Sequence, residues 1–254
     1  MRFGVCRPIT DLASVAALGF DYLEAPATEL AAMPEEDFQR VKRQALTVPV
    51  RVEALNVLFP GDLRLLAPAS EERMLAHASL VFQRGRELGV QTVVFGSGAA
   101  RSFSEELSFE QAVRALTGKI RRLGELAAEY GIFIAVEPLR RAESNLINTV
   151  AEGAMLAAAV DHPHVRVLAD SYHMFSDREP AENITRTGQL RHTHVALTQG
   201  RTYPVTATGE LQAFFAALRT IGYSGRMSIE GNTDCFAQDA PLALETLRKL
   251  ACAQ

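Results

Sequence analysis

Short runs rich in valine, isoleucine and aromatic residues alternate along this chain with longer segments whose apolar positions recur at the helical period. The runs predict strands over Arg2–Cys6, Asp21–Glu24, Val48–Leu55, Gln91–Phe95, Phe133–Pro138, Val165–Asp170, Arg191–Ala196 and Arg226–Glu230. Between them the periodic segments predict helices over 10–18, 34–46, 69–88, 108–130, 149–160, 180–188, 210–221 and 239–251. Several helix ends carry their own signals. Ser108 followed three residues later by Gln111 is a capping-box pattern. Gly19, Gly89, Gly131 and Gly222 each follow a helical run, where a left-handed residue is wanted.

Eight strand-helix units in 254 residues predict a closed (β/α)8 TIM barrel as a single α/β domain over residues 1–254. An open doubly wound sheet is the alternative, and the first strand lacks the glycine-rich turn that dinucleotide binders place there. The longer connections, Gly96–Leu107, Leu139–Asn148, Ser171–Arg178 and Leu197–Gly209, all follow strands. In a barrel these loops stand together on the C-terminal face, where function collects.

Composition narrows the partners. The chain is 48% hydrophobic and 22% charged with a formal net charge of −4, and its basic stretches are interleaved with acidic residues, so a nucleic-acid partner is not expected. Three cysteines, Cys6, Cys235 and Cys252, form neither a disulfide nor a zinc framework. With no basic-then-apolar leader and no apolar run approaching a span of about 18 residues, a cytoplasmic protein without a membrane partner is expected.

Candidate chemistry sits where four of the later strands end. Glu137, Asp170, His194 and Glu230 lie at the C-terminal ends of apolar runs and are spaced 24 to 36 residues apart, the length of one strand-helix unit. Four successive parallel strands would bring them to one rim. Three hard carboxylates and an imidazole suit one divalent metal ion, Mn²⁺, Mg²⁺ or Co²⁺, and would also admit Zn²⁺, since ligand softness alone does not choose among them. The plainer alternative is that each acid caps a following helix or pairs with a neighbouring base.

The segments VEPLRRAESNLINT (Val136 to Thr149), DSYH (Asp170 to His173), HTH (His192 to His194) and SIEGN (ending at Asn232) resemble the sugar phosphate isomerase/epimerase superfamily of xylose isomerase-like TIM barrels. Within it the likeness is to the ketose 3-epimerases of the D-tagatose and D-psicose type. The resemblance implies that Glu137, Asp170, His194 and Glu230 are metal ligands. It also implies that Glu137 and Glu230 are the catalytic pair, moving a proton on opposite faces of a sugar through a metal-stabilised enediolate. It assigns Glu143, His173 and Arg201 to substrate binding. A small sugar or sugar derivative is then the partner, and a homodimer or homotetramer the expected assembly.

This chain departs from the epimerase pattern in its loops. Arginine follows the ligand histidine by seven residues instead of six, with Gly200 at the sixth place. Leu197 replaces a common acidic residue, Pro204-Val205 a Pro-Gly, and Arg140 an asparagine. Substrate and reaction type therefore stay open. A metal-dependent lyase dehydrating an inosose or 3-dehydroshikimate is the main alternative, since it begins with the same proton abstraction. A partner-dependent barrel subunit or a sugar sensor is another. Abasic-site cleavage in the manner of endonuclease IV would need more ligands than this chain offers.

Secondary positions are read with two alternatives each. Glu24, Glu53 and Asn56, near the ends of the second and third strands, would reach bound hydroxyls or serve the core. His192 would point into the barrel one layer below His194, in support or packing rather than coordination. The FGSGAARS loop, Phe95 to Ser102, would cradle a phosphate or hydroxyl on its backbone, or simply turn into the next helix. His77, His162 and His164 are given no chemistry.

Overall fold

A computed structural model describes residues 1–253 as a closed barrel of eight parallel strands in sequence order. The strands are β1 (Arg2–Cys6), β2 (Tyr22–Pro26), β3 (Arg51–Asn56), β4 (Thr92–Phe95), β5 (Phe133–Val136), β6 (Val165–Asp170), β7 (His192–Val195) and β8 (Arg226–Ile229). Pairing of Arg2 with Arg226 through Val5 with Ile229 closes β1 onto β8. The fold expected from the alternating pattern is the one observed.

Strand side chains alternate between two environments. Outward residues such as Phe3, Val5, Leu23, Val93 and Ile134 join the helices in one continuous apolar shell. Inward, Val94, Ala135 and Leu168 form a small separate apolar cluster. Above it on their strands sit Glu137 and Asp170, two residues on and therefore on the same face. Gly4 makes room for this filling, because a Cβ there would lie 2.3 Å from the Tyr22 ring. The barrel floor is polar: Glu53 pairs with Arg226 and Arg2 at 2.5 Å each. Glu53 thus takes the structural one of its two readings, and it is the residue of β3 left without a register partner where Leu23 pairs with Val52 and Glu24 with Ala54.

Helix ends follow their local signals. Helix Phe109–Glu129 opens on the capping box, with Gln111 N–H donating to Ser108 Oγ at 3.2 Å and Ser108 N–H to Gln111 Oε1 at 2.8 Å. Gly19, Gly89, Gly131 and Gly222 all adopt positive φ. Other boundaries differ from expectation. β3 begins at Arg51 rather than Val48, since Pro49 cannot donate to a ladder. Three short helices are additional to the predicted ones: Ala27–Ala32, Gly98–Arg101 and Ser171–Ser176. No described helix is long and apolar enough to cross a membrane. All three cysteines are free.

Candidate active site and metal centre

Four successive strands, β5 to β8, deliver the predicted quartet to one point. Ligand atoms of Glu137, Asp170, His194 and Glu230 all lie within 4.8 Å of one another. His194 Nδ1 stands at the centre, 2.8 Å from Glu137 Oε1 and 3.1 Å from Glu230 Oε2. Asp170 and His194 are register partners, which brings their side chains to the same height. Asp170 also serves the chain locally, because its Oδ1 accepts the Tyr172 N–H at 2.7 Å and caps helix Ser171–Ser176. The capping alternative for this residue is therefore realised as well, by its other oxygen.

Charge at the quartet is unbalanced. Burial pushes the Glu137 carboxyl up, and the neighbouring Glu230 adds to the push. Burial raises Asp170 to about 7 even against the nearby Arg201. Glu230 goes the other way: burial is outweighed by His194 and Arg201, which bring it to about 2. The His194 imidazole resists burial and is held well above its ordinary value by Glu24, Glu230 and Glu137. Glu137, Asp170 and His194 thus favour their protonated forms around the ionised Glu230, at a shared centre that a cation would take.

The residues fit a divalent ion on a further observation. Asp170 Oδ2 is buried and has no hydrogen-bond partner, although it faces the same centre. A buried carboxylate oxygen left unpaired is costly, and coordination would satisfy it. Three carboxylates and one imidazole are the donor set of a hard or borderline ion.

Around the quartet, Glu230 is held by two further side chains. Asn56 Nδ2 donates to its Oε1 at 3.0 Å, and Arg201 Nη2 donates to its Oε2 at 2.5 Å. Asn56 therefore grips a rim carboxylate, a use its position in the sequence does not disclose. Arg201 reaches this place through two successive left-handed residues, Gly200 at φ 70° and Arg201 at φ 51°. That turn absorbs the extra residue after His194. It is locked where Asn232 N–H donates to Arg201 O at 2.6 Å and Asn232 Nδ2 to Gly200 O at 3.1 Å.

His173 lies beside the quartet, its Nε2 3.6 Å from Asp170 Oδ2. Its Nδ1 accepts the Arg140 N–H at 3.3 Å, so the ring proton belongs on Nε2 and faces the site. Burial, aided by Arg201, lowers the ring to about 3 and keeps it neutral. Glu143 is one step further out, paired with Arg140 Nε at 2.7 Å. The Tyr172 ring meets the Arg140 guanidinium at 5.0 Å and that of Arg201 at 4.8 Å, joining these loops into one wall.

Of the two readings of the FGSGAARS loop, the structure shows the turn into a helix, Gly98–Arg101. A Cβ on Gly96 would lie 1.8 Å from Glu137 Oε2, so the glycine leaves the space that this carboxylate occupies. A Cβ on Gly98 would lie 2.6 Å from Glu143 O. Arg101 is fully buried instead of presented, donating to Phe95 O and Ile147 O at 3.2 Å each. It ties β4 to the loop that carries Glu143.

Beneath His194, Glu24 is buried between two imidazoles, 2.9 Å from His194 Nε2 and 2.7 Å from His192 Nε2. Burial would raise its carboxyl, but His194 and His192 hold it well below the usual carboxylate range. His192 supports rather than joins the quartet, in keeping with its deeper register. Neither Glu24 nor Asn56 meets the hydroxyl-binding expectation in its simple form.

Known proteins share this scaffold. The profile of the xylose isomerase-like TIM barrel family matches residues 12–251. The L-ribulose 3-epimerase of Methylomonas sp. (strain DH-1) is 33% identical over 226 residues, which cover 86% of this chain and 76% of that one. The D-psicose 3-epimerase of Agrobacterium fabrum is 26% identical over 233 residues, covering 85% and 76%. Among solved structures, a D-psicose 3-epimerase in the presence of D-fructose superposes with a TM-score of 0.88 at 19% identity, covering 100% of both chains.

Proposed function

The chain belongs to the xylose isomerase-like TIM barrel family, and from that premise we propose that it is a divalent-metal-dependent sugar epimerase that inverts a carbon beside a carbonyl. The observation that carries this reading is the convergence of Glu137, Asp170, His194 and Glu230 on one centre with an unpaired Asp170 oxygen facing it. Its named relatives are epimerases, enzymes of the isomerase class.

Glu137, Asp170, His194 and Glu230 would hold the ion, with Mn²⁺ preferred for so oxygen-rich a set. When bound, it supplies positive charge beside the oxyanion that develops as the carbon loses its proton. The protein supplies the proton traffic. Inversion needs one group to take the proton from one face and another to return it to the opposite face. Glu137 and Glu230 are suited to the two parts because both carboxylates reach the same centre, 2.8 and 3.1 Å from His194 Nδ1. Glu230, held ionised by His194 and Arg201 against its burial, starts as the base. Glu137, which reaches the same centre 2.8 Å from His194 Nδ1, returns the proton to the other face, and the reverse reaction exchanges the roles.

His173 offers a neutral Nε2–H to a substrate oxygen near Asp170, a donor that cannot itself become a competing acid at neutral pH. Arg201 fixes Glu230 and closes one side of the site. Glu143 would contact substrate after exchanging its bond to Arg140 for one to a hydroxyl. A small ketose or keto-sugar derivative fits these donors and acceptors.

Incubating the Mn²⁺-loaded protein with ketoses, keto-glycosides and inososes, then separating the products, tests the reading. An epimer of unchanged mass is expected from at least one sugar. A product lighter by one water would instead establish the lyase alternative.

A further inference from the structure

We infer that Glu24 is a positioning residue for the proposed metal centre: its carboxylate fixes the His194 ring through Nε2 so that Nδ1 is presented to Glu137, Asp170 and Glu230. This inference rests on the metal-centre reading above and adds a residue that touches neither the ion nor the substrate.

β2 and β7 are not neighbours in the barrel, since β1 and β8 lie between them. Glu24 and His194 therefore meet across the interior, with both side chains wholly shielded from solvent. Each oxygen of Glu24 has its own donors. Oε1 faces His194 Nε2 at 2.9 Å, while Oε2 faces His192 Nε2 at 2.7 Å and accepts from Ser228 Oγ at 2.5 Å. Ser228 has one hydroxyl proton to give. With that proton donated to Glu24, the serine oxygen accepts the Tyr22 hydroxyl at 2.7 Å. Gly4 in turn provides the space that Tyr22 fills.

The direction of the bonds follows from what is left unpaired. His192 Nδ1 is buried and has no partner among the described residues, so the His192 proton sits on Nε2 and is donated to Glu24. Glu24 is thereby an acceptor on one oxygen and offers the other to His194. Within ion-pair distance of Glu24 among the described residues stand only the two imidazoles, with no lysine or arginine. A buried carboxylate paired with a ligand imidazole sets which nitrogen keeps its proton, locks the ring, and strengthens the other nitrogen as a donor.

A second arrangement competes for the same atoms. Ligand atoms of Cys6, Glu24 and His194 also lie within 4.8 Å of one another and would themselves suit a cation. Both Glu24 oxygens already have donors, which favours the supporting role over a second site.

Calorimetry on chelator-stripped full-length protein with Mn²⁺ and Zn²⁺, beside long-range ¹H–¹⁵N NMR of the Zn²⁺-loaded protein, tests the inference. One ion per chain is expected, with a His194 Nε2 that carries a proton. Glu24→Ala should weaken Kd about 10- to 100-fold. Glu24→Gln should weaken it less, because its carbonyl oxygen can still accept from His194. A Glu24→Ala protein that binds within about twofold of wild type, while merely melting earlier, would reduce Glu24 to packing and overturn the inference. So would a wild-type His194 without a proton on Nε2, a measurement that needs no variant. A second ion lost in Cys6→Ser would overturn it in favour of the competing site. Wild-type protein that binds neither ion would sink the metal-centre reading itself.

Discussion

Gly96 and Glu137 occupy space that only a glycine can share: a Cβ at position 96 would sit 1.8 Å from the Glu137 carboxylate oxygen Oε2. β4 ends at Phe95, beside Val136 of β5, so the loop leaving one strand passes directly under the acid leaving the next. Gly96→Ala should displace Glu137 without touching the other members of the quartet. An error of about 1 Å at a reacting group can cost about 10²-fold. A loss of that order in kcat, with far-ultraviolet circular dichroism unchanged, is expected.

Arg201 contributes through Glu230. Replacing it with methionine removes a 2.5 Å charge-assisted bond and a share of the force that keeps Glu230 ionised. A charged hydrogen bond is worth about 1.5–3 kcal/mol, which predicts a loss in kcat/KM of about 10- to 100-fold. The acid limb of the kcat/KM profile should also move to higher pH, since Glu230 would protonate sooner. Arg201→Lys should recover only part of the loss, as an ammonium lacks the planar fork.

Metal binding should be proton-linked. Burial holds the Asp170 carboxyl at about 7 in the metal-free chain, against about 4 when unfolded. Between these values the folded chain holds the extra proton, so this group's contribution to stability falls as pH rises toward 7. Above pH 7 the carboxylate is ionised and unpaired, which is the form a cation stabilises. Mn²⁺ should therefore raise Tm more at pH 8 than at pH 6. Below pH 7 its Kd should tighten by up to about tenfold per pH unit for each proton released, and the Asp170 contribution should level off above pH 7, as calorimetry across that range would report.

Arg101 holds the loop that carries Glu143 by bonding to the carbonyls of Phe95 and Ile147. Arg101→Ala would remove both charged hydrogen bonds, worth about 1.5–3 kcal/mol each, although each carbonyl keeps a backbone donor, the Glu137 N–H on Phe95 O and the Leu139 N–H on Ile147 O. A net destabilisation of about 2–4 kcal/mol is expected in urea titration. A substrate KM raised more than kcat is lowered would show that the loop was loosened while the quartet stayed in place.

Much of this architecture is legible in the chain. β1 and β6 coincide with their apolar runs because both are bounded by strong signals, and the quartet is readable because each member ends such a run. The helix Ser171–Ser176 reads as loop in the sequence, since six residues cannot display a period and its start is set by Asp170, a residue with a competing reading. Glu24 and Asn56 stand out along the chain without their partners. Glu24 meets residues 168 and 170 positions away and Asn56 meets one 174 away. Only closure of the barrel creates those contacts, and no spacing along the sequence announces them. Gly96 reads equally as part of a cradle or of a plain turn, because a glycine in a loop looks alike whether it serves a ligand or a neighbouring side chain.

The most direct test of proton transfer between two faces is deuterium uptake from D₂O into substrate ketoses, followed by proton NMR with and without Mn²⁺. Metal-dependent exchange at one carbon beside the carbonyl, accompanied by its epimer and abolished in both Glu137→Gln and Glu230→Gln, is the predicted result. Exchange that persists at the wild-type rate in either variant, with the ion bound, would contradict the two-carboxylate account.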